Sequence, residues 1–140
     1  MDKNEFAIVL PLIWKTFLKY ESPDYSEEGV QTFFNSINNQ TFIHSLDFYA
    51  AYENLDVVGV IATRNKGSHI ALFFVEENYQ SKGIGRRLFE EARKHNQSNK
   101  MTVNSSPYAV KIYRSLGFVD VDIERVTNGM KYTPMIYTKK

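Results

Sequence analysis

The sequence predicts a mixed α/β fold, a largely antiparallel sheet with helices on both sides. Three observations carry this expectation. From Phe48 the apolar residues follow a period of two through three consecutive runs, 48–53, 57–63 and 68–75, which read as a meander of strands. The third run ends at a glycine turn that opens an amphipathic helical segment. A second strand-and-helix pair follows at 101–104 and 107–116.

Residues 4–20 place Phe6, Leu10, Ile13, Phe17 and Tyr20 at helical spacing, with Asp2 or Asn4 as the cap. Pro11 either kinks this helix or begins the helix proper. After a loop at 21–25, Ser26 caps a second helix running to about Ile37, with Glu27 and Glu28 at its positive end. Turn residues at Asn54 and at Asn65-Lys66-Gly67 separate the three strands. The helix after the glycine turn buries Leu88, Phe89 and Ala92. Two closing strands, 119–126 and 132–138, are joined by Asn128-Gly129. No repeat, low-complexity tract or linker interrupts the chain, and residues 1–140 are expected to form a single domain around one core.

Composition narrows the function. A hydrophobic content of 43% is that of a globular chain, and the absence of cysteine excludes a disulfide framework, a thiolate metal site and a cysteine nucleophile. His44, His69 and His95 do not stand at metal-ligand spacing, so no metal is expected. The apolar run 6–14 lacks a basic leader and a cleavage site, and Lys15 and Lys19 stop it short of a membrane span; the expectation is a cytoplasmic protein without a membrane partner. The net charge of +1 hides an asymmetry: residues 1–70 hold 5 Lys/Arg and 9 Asp/Glu, residues 71–140 hold 12 and 7. Positive charge this modest, and not segregated as an arm, argues against nucleic acid.

The basic half holds the most informative stretch, Gln80-Ser81-Lys82-Gly83-Ile84-Gly85. Its two glycines let the backbone approach a ligand, and the free N–H groups of a helix's first turn favour a pyrophosphate. A dinucleotide fingerprint would need a small residue where Leu88 stands, and a P-loop would need Lys-Ser/Thr where Arg86-Arg87 stand. The stretch matches Gln/Arg-x-x-Gly-x-Gly/Ala. Farther on, residues 109–118 (Ala109, Tyr113, Gly117, Phe118) match Ala-x-x-x-Tyr-x-x-x-Gly-Phe. In their order and spacing over residues 69–118 the two patterns make the chain resemble the GNAT N-acetyltransferase superfamily, in particular its small, bacterial-type single-domain members. One departure is the start of the chain, where the helical pattern leaves the family's first strand missing.

The resemblance implies acetyl-CoA as co-substrate and a primary amine as acceptor, joined by direct attack. It assigns acetyl-CoA binding to Gln80, Ser81, Lys82, Gly83, Ile84, Gly85 and Arg86, with backbone N–H groups of Phe74 and Val75 polarising the carbonyl; Arg87, Lys111 and Arg114 could join them around the phosphates. Tyr113 matches the family's general acid, because a phenol near pKa 10 remains protonated at neutral pH; its plain alternative is a core tyrosine beside Ala109, Ile112 and Leu116. His69, eleven residues before Gln80, stands where histone-modifying relatives place a glutamate base. The alternatives are proton removal through ordered water, or Glu28, Glu76 or Glu77. Aromatics in the first half (Phe17, Tyr20, Tyr25, Phe33, Phe34, Tyr49, Tyr52) beside Glu21, Asp24, Glu27 and Glu28 suit an ammonium group. Small amine, antibiotic, peptide N-terminus and protein lysine all remain open as acceptors. A homodimer is a further expectation, and a non-catalytic acyl-CoA-binding or interaction module is the alternative to an enzyme.

Overall fold

Among the described residues seven strands form the sheet, in the spatial order 47–53, 56–64, 69–75, 100–105, 130–138 and 119–120, with 125–127 pairing 130–138 off the main path. The computed structural model describes residues 3–80 and 82–139; Asp2 and Ser81, named above, lie outside them. Among the described residues no strand precedes the first helix, α1 (Lys3–Thr16). Pro11 lies inside α1 on its exposed side, so it does not begin the helix. The expected helix to Tyr20 ends differently. At Phe17–Glu21 the chain widens into a π turn, closed by the Ser22 N–H on the Phe17 carbonyl, and Ser22–Asp24 follows as a 3₁₀ turn.

Helix α2 (Glu27–Ile37) is capped as expected, with the Ser26 hydroxyl accepting from the Gly29 N–H at 3.2 Å. Helix α3 (Gln40–His44) was not legible in advance: five residues are too short to show a period, and only the Asn39 cap, accepting from Phe42 N–H at 3.0 Å, marks it. The meander β1 (Asp47–Glu53), β2 (Asp56–Arg64) and β3 (His69–Val75) is antiparallel throughout. A 3₁₀ turn (Glu77–Tyr79) and the glycine loop lead into α4 (Ile84–Lys94), and β4 (Lys100–Ser105) then pairs parallel to β3. Helix α5 (Val110–Ser115) precedes β5 (Val119–Asp120), β6 (Arg125–Thr127) and β7 (Met130–Thr138).

The strand expected at 119–126 is in fact two. Val121 N–H donates to the Pro134 carbonyl at 2.8 Å, but Pro134 has no N–H to return the bond, and pairing stops there. Asp122 then turns the chain, accepting from Ile123 N–H at 2.7 Å and pairing with Arg125. The Asn128-Gly129 turn between β6 and β7 is as expected, with positive φ of 52° and 79° at its two central residues.

The sheet separates two cores. On one face α1, α2 and α3 bury Val9, Ile13, Phe17, Phe33 and Ile37 against Val60, Leu72 and Phe74. On the other, Leu88 and Phe89 of α4 and Tyr113 of α5 pack with Ile61, Met101, Phe118 and Met135. The hairpin tip between β6 and β7 is pressed onto the start of α2: a Cβ on Gly29 would stand 2.2 Å from the Gly129 carbonyl oxygen. Gly29→Ala therefore forces backbone apart and is expected to cost about 1–3 kcal/mol, read as a thermal midpoint lower by about 3–10 °C. An unchanged midpoint would show that the hairpin moves freely away from α2.

Candidate functional site

The site originates in one irregularity of β3. Ala62 faces Leu72 and Thr63 faces Ile70, which leaves Ala71 as the extra residue of a β-bulge. The bulge reverses the faces of the strand, so Ile70 packs with the α4–α5 core while Leu72 packs with the α1–α3 core. It also marks the point at which β3 leaves β4. The two strands pair only at His69 with Thr102 and Ile70 with Val103, although β2 holds β3 as far as Val75 and β7 holds β4 as far as Ser105.

A cavity of about 550 Å³ lies along the resulting gap, lined by Phe73, Phe74 and Val75 of β3, by Gln80, Gly83 and Gly85 of the glycine loop, and by Tyr108, Ala109, Lys111, Ile112 and Tyr113 at and before the start of α5. Glu76 N–H bonds the Val58 carbonyl, and successive residues of a strand alternate; Phe74 therefore directs its backbone groups at β2, while Phe73 and Val75 direct theirs at the gap. Of the two strand residues expected to bond the co-substrate, Val75 thus has its amide toward the gap and Phe74 lines the cavity by position. Gln80 bridges the gap's mouth: its amide donates to the Val75 carbonyl at 3.1 Å, and its carbonyl accepts from the Tyr108 hydroxyl at 2.9 Å. Tyr108 in turn stacks on Tyr20, 4.7 Å between centroids.

Gly83 caps α4 with φ +85°, a conformation that favours glycine, and no atom lies within 4 Å of where its Cβ would be. The space before the helix is open. The first helical bond runs from Arg87 N–H to the Gly83 carbonyl at 3.1 Å, so the N–H groups ahead of it face that space without helical partners. Gly85 lines the cavity against Phe73 and Val75, whereas Ile84 packs into the α4–α5 core. The expected basic residues separate. Arg86 and Lys111 line the cavity, Arg86 with its guanidinium donating to the Ser115 carbonyl at 2.9 Å. Arg114 is paired with Asp120 at 2.7 Å, Lys82 lies 5.6 Å from the Tyr79 ring centroid, and Arg87 borders a different groove beside β1.

Tyr113 is held by the way α5 ends. Phe118 N–H bonds the Tyr113 carbonyl and Gly117 N–H bonds the Arg114 carbonyl, both at 3.0 Å, with Gly117 at φ +106°. This is a Schellman turn, and its usual apolar contact is the edge-on packing of Phe118 on Tyr113 at 5.3 Å. The Tyr-x-x-x-Gly-Phe spacing thus fixes the tyrosine ring. Burial, with the charge of Glu21 second, pushes the phenol well above its ordinary value, so it keeps its proton at any physiological pH.

Glu21 is the acid that sequence reasoning left among several. It and Thr16 line the same cavity five residues apart, the repeat of the π turn that joins them. The residue is half-buried, but its carboxyl is turned into the protein, where burial pushes it up to about 8 and the Ser106 hydroxyl pulls it part of the way back. A second cavity, of about 160 Å³, shares Glu21, Phe73, Phe74, Ala109 and Tyr113 with the first. No local pattern signals this burial, because Ser106 and Tyr113 are far away in the chain.

His69 is placed elsewhere. It sits six residues before Val75, about 20 Å along the strand, where β3 and β4 are still paired. Its Nδ1 lies 2.7 Å from the Thr102 hydroxyl, and burial followed by the Arg64 charge lowers it to about 4. Glu28, Glu76 and Glu77 line neither cavity; Glu76 accepts from Asn78 N–H at 2.8 Å and Glu77 pairs with Lys19. Among the described residues no three metal-ligating side chains cluster, and no helix is long and apolar enough to cross a membrane.

The model of the acetyltransferase (GNAT) domain matches residues 21–139. The chain belongs to this family. Solved structures agree in fold: a GCN5-related N-acetyltransferase from Rhodopseudomonas palustris matches with a TM-score of 0.83 at 18% identity, over 99% of this chain and 92% of that one. The PaiA N-acetyltransferase of Thermoplasma acidophilum, solved with coenzyme A, matches at 0.72 and 16%, over 99% and 95%. An aminoglycoside 6'-N-acetyltransferase, also with coenzyme A, matches at 0.63 and 13%, over 99% and 94%. A search by sequence among curated proteins finds no match. In this GNAT domain the glycine loop, the start of α5 and the gap between β3 and β4 surround one cavity.

The raised Glu21 carboxyl makes stability depend on pH. Between about 4.5 and 8 the folded protein holds a proton that the unfolded chain has released, so stability falls as pH rises through this window and levels off above it. Glu21→Gln removes the effect. Its thermal midpoint should match wild type near pH 4.5 and exceed it increasingly up to about pH 8.5; a difference that does not change with pH would mean that Glu21 titrates normally.

Proposed function

We propose that this GNAT domain is an acetyl-CoA-dependent N-acetyltransferase that passes the acetyl group to a primary amine by direct attack. The observation that carries the reading is the meeting of two cavities at the gap between β3 and β4, with a proton donor, Tyr113, and a proton acceptor, Glu21, on the lining they share. Coenzyme A in the PaiA and aminoglycoside acetyltransferase structures supports the larger cavity as the place of acetyl-CoA.

Each residue then has a chemical task. The free N–H groups at the start of α4, with Lys111 and Arg86 beside them, hold the pyrophosphate. The N–H of Val75 points into the gap, where it donates to the acetyl carbonyl and draws charge onto its oxygen. As the amine nitrogen bonds the carbonyl carbon and the carbon–sulfur bond breaks, the departing thiolate takes the Tyr113 proton. Glu21 takes the proton that the amine loses. Its value near 8 lies close to working pH, where a base is most effective, whereas His69 is remote and has been lowered to about 4. The base role therefore passes from His69 to Glu21. Residue Ser81 keeps its place in the proposed loop by sequence position alone.

Acetyl-CoA at a hundredfold excess over Kd should add about 2.7 kcal/mol to stability and raise the thermal midpoint, while NAD and ATP at the same concentration should not. Gly83→Val, strained at φ +85°, should abolish the rise. No rise with acetyl-CoA would contradict the reading, and a rise without turnover on any amine would favour a non-catalytic acyl-CoA-binding module.

Tyr113→Phe removes one hydroxyl and little volume. It should lower turnover on the order of 10²-fold with acetyl-CoA affinity nearly kept. Normal turnover per folded molecule with a lowered midpoint would make Tyr113 structural only.

A further inference from the structure

Resting on the N-acetyltransferase reading, we propose that the acceptor is a compact primary amine carrying one ring-sized apolar group, an arylalkylamine in chemical class. It enters the smaller cavity and meets Glu21 and Ser106 with its ammonium. Four observations support this occupant.

The first is size. At about 160 Å³ the cavity resembles the roughly 150 Å³ apolar cavities that take up benzene, which is room for one ring and a short chain. The second is lining. Phe33, Phe42 and Tyr25, which the larger cavity does not share, and Phe74, which it does, supply aromatic wall, and such a wall favours a flat apolar body.

The third is charge. Glu21 is the one ionisable carboxyl of the lining, and no lysine or arginine borders this cavity. An arriving ammonium would stabilise the ionised carboxylate that burial otherwise disfavours; the carboxylate then takes one ammonium proton, which frees the neutral amine to attack, and the second proton, lost as the amide forms, restores the Tyr113 phenol. Ser106 adds to this: its hydroxyl, on a residue only 5% exposed, faces the Glu21 carboxyl, and its oxygen accepts no hydrogen bond, so it is free to take an N–H of the amine.

The fourth is access. Asn104 is the only exposed residue of the lining, and the β6–β7 hairpin, pressed onto α2, brings Met130 across another side. A free small molecule can enter beside Asn104, whereas the buried and half-buried remainder of the lining offers a polypeptide little exposed surface on which to lie.

The test is an acceptor panel with acetyl-CoA that reads free thiol release: benzylamine and phenethylamine, spermidine, an aminoglycoside and a lysine-containing peptide. The expected result is a kcat/KM for the ring amines at least about 10-fold above every other arm. Ser36→Leu, which narrows the cavity from α2, should raise KM for phenethylamine several-fold and leave the acetyl-CoA-induced rise in thermal midpoint unchanged. Phe42→Ala, which widens it, should move preference toward a two-ring amine. Faster acetylation of the peptide, spermidine or the aminoglycoside would overturn the acceptor assignment and leave the N-acetyltransferase reading standing. Acetylation of none, with acetyl-CoA still bound, would overturn both.

Discussion

The bulge at Ala71 is the constraint on which the rest of the site depends. A single extra residue between the Leu72 and Ile70 pairings ends the β3–β4 ladder after two residue pairs. The strands are not free to rejoin, because each is held on its outer edge, β3 by β2 and β4 by β7. Backbone that would otherwise bond across the sheet is left facing a gap. In an ordinary sheet that would be an exposed edge and a liability; here Gln80, Tyr108 and Tyr113 gather at it, and both cavities open from it. Because the bulge also reverses the faces of β3, Phe74 belongs to the α1–α3 core and Phe73 to the α4–α5 core, and the gap is walled by both.

Two local devices aim side chains at that gap. The Schellman turn at the end of α5 sets Tyr113 against Phe118, and Phe73 meets the tyrosine ring edge-on at 5.9 Å. The π turn at the end of α1 brings Glu21 to the same opening while Phe17 stays wholly buried, stacked on Phe33 at 3.9 Å. Burial raises both groups, with opposite consequences for their readiness. It locks the phenol into its donor form, and it brings the carboxyl into the range where a small change of surroundings decides whether it holds a proton.

Much of the architecture was legible because local chemistry decides it. The meander followed from period two, the α2 cap from Ser26, the last hairpin from Asn128-Gly129, and the two family motifs from glycines and a tyrosine at fixed spacing. What stayed hidden was decided by distant contacts or by a break in pattern that apolar residues conceal. The Ala71 bulge lies in the unbroken apolar run 70–75, where a shift of faces leaves no trace. Pro134 splits its partner strand through a missing donor on the opposite chain segment. Helix α3 is too short for a period. Counting back from Gln80 led to His69, but spacing along a strand says nothing of where the strand opens, and His69 lies on the closed side of the bulge. Glu21 could be read only as one acid beside aromatics, since the residues that bury it come from α5 and the turn before it.

Every role proposed for the site requires that the gap between β3 and β4 receive acetyl-CoA. The most direct measurement is a residue-resolved one: amide chemical shifts of the isotopically labelled protein during titration with coenzyme A. Saturable shifts are expected at Phe73 and Val75, on the open edge, and at Gly83 and Gly85, with His69 and the residues of α3 unmoved. Shifts gathered in the groove between α1 and α3, with β3 unperturbed beyond Ala71, would contradict that binding.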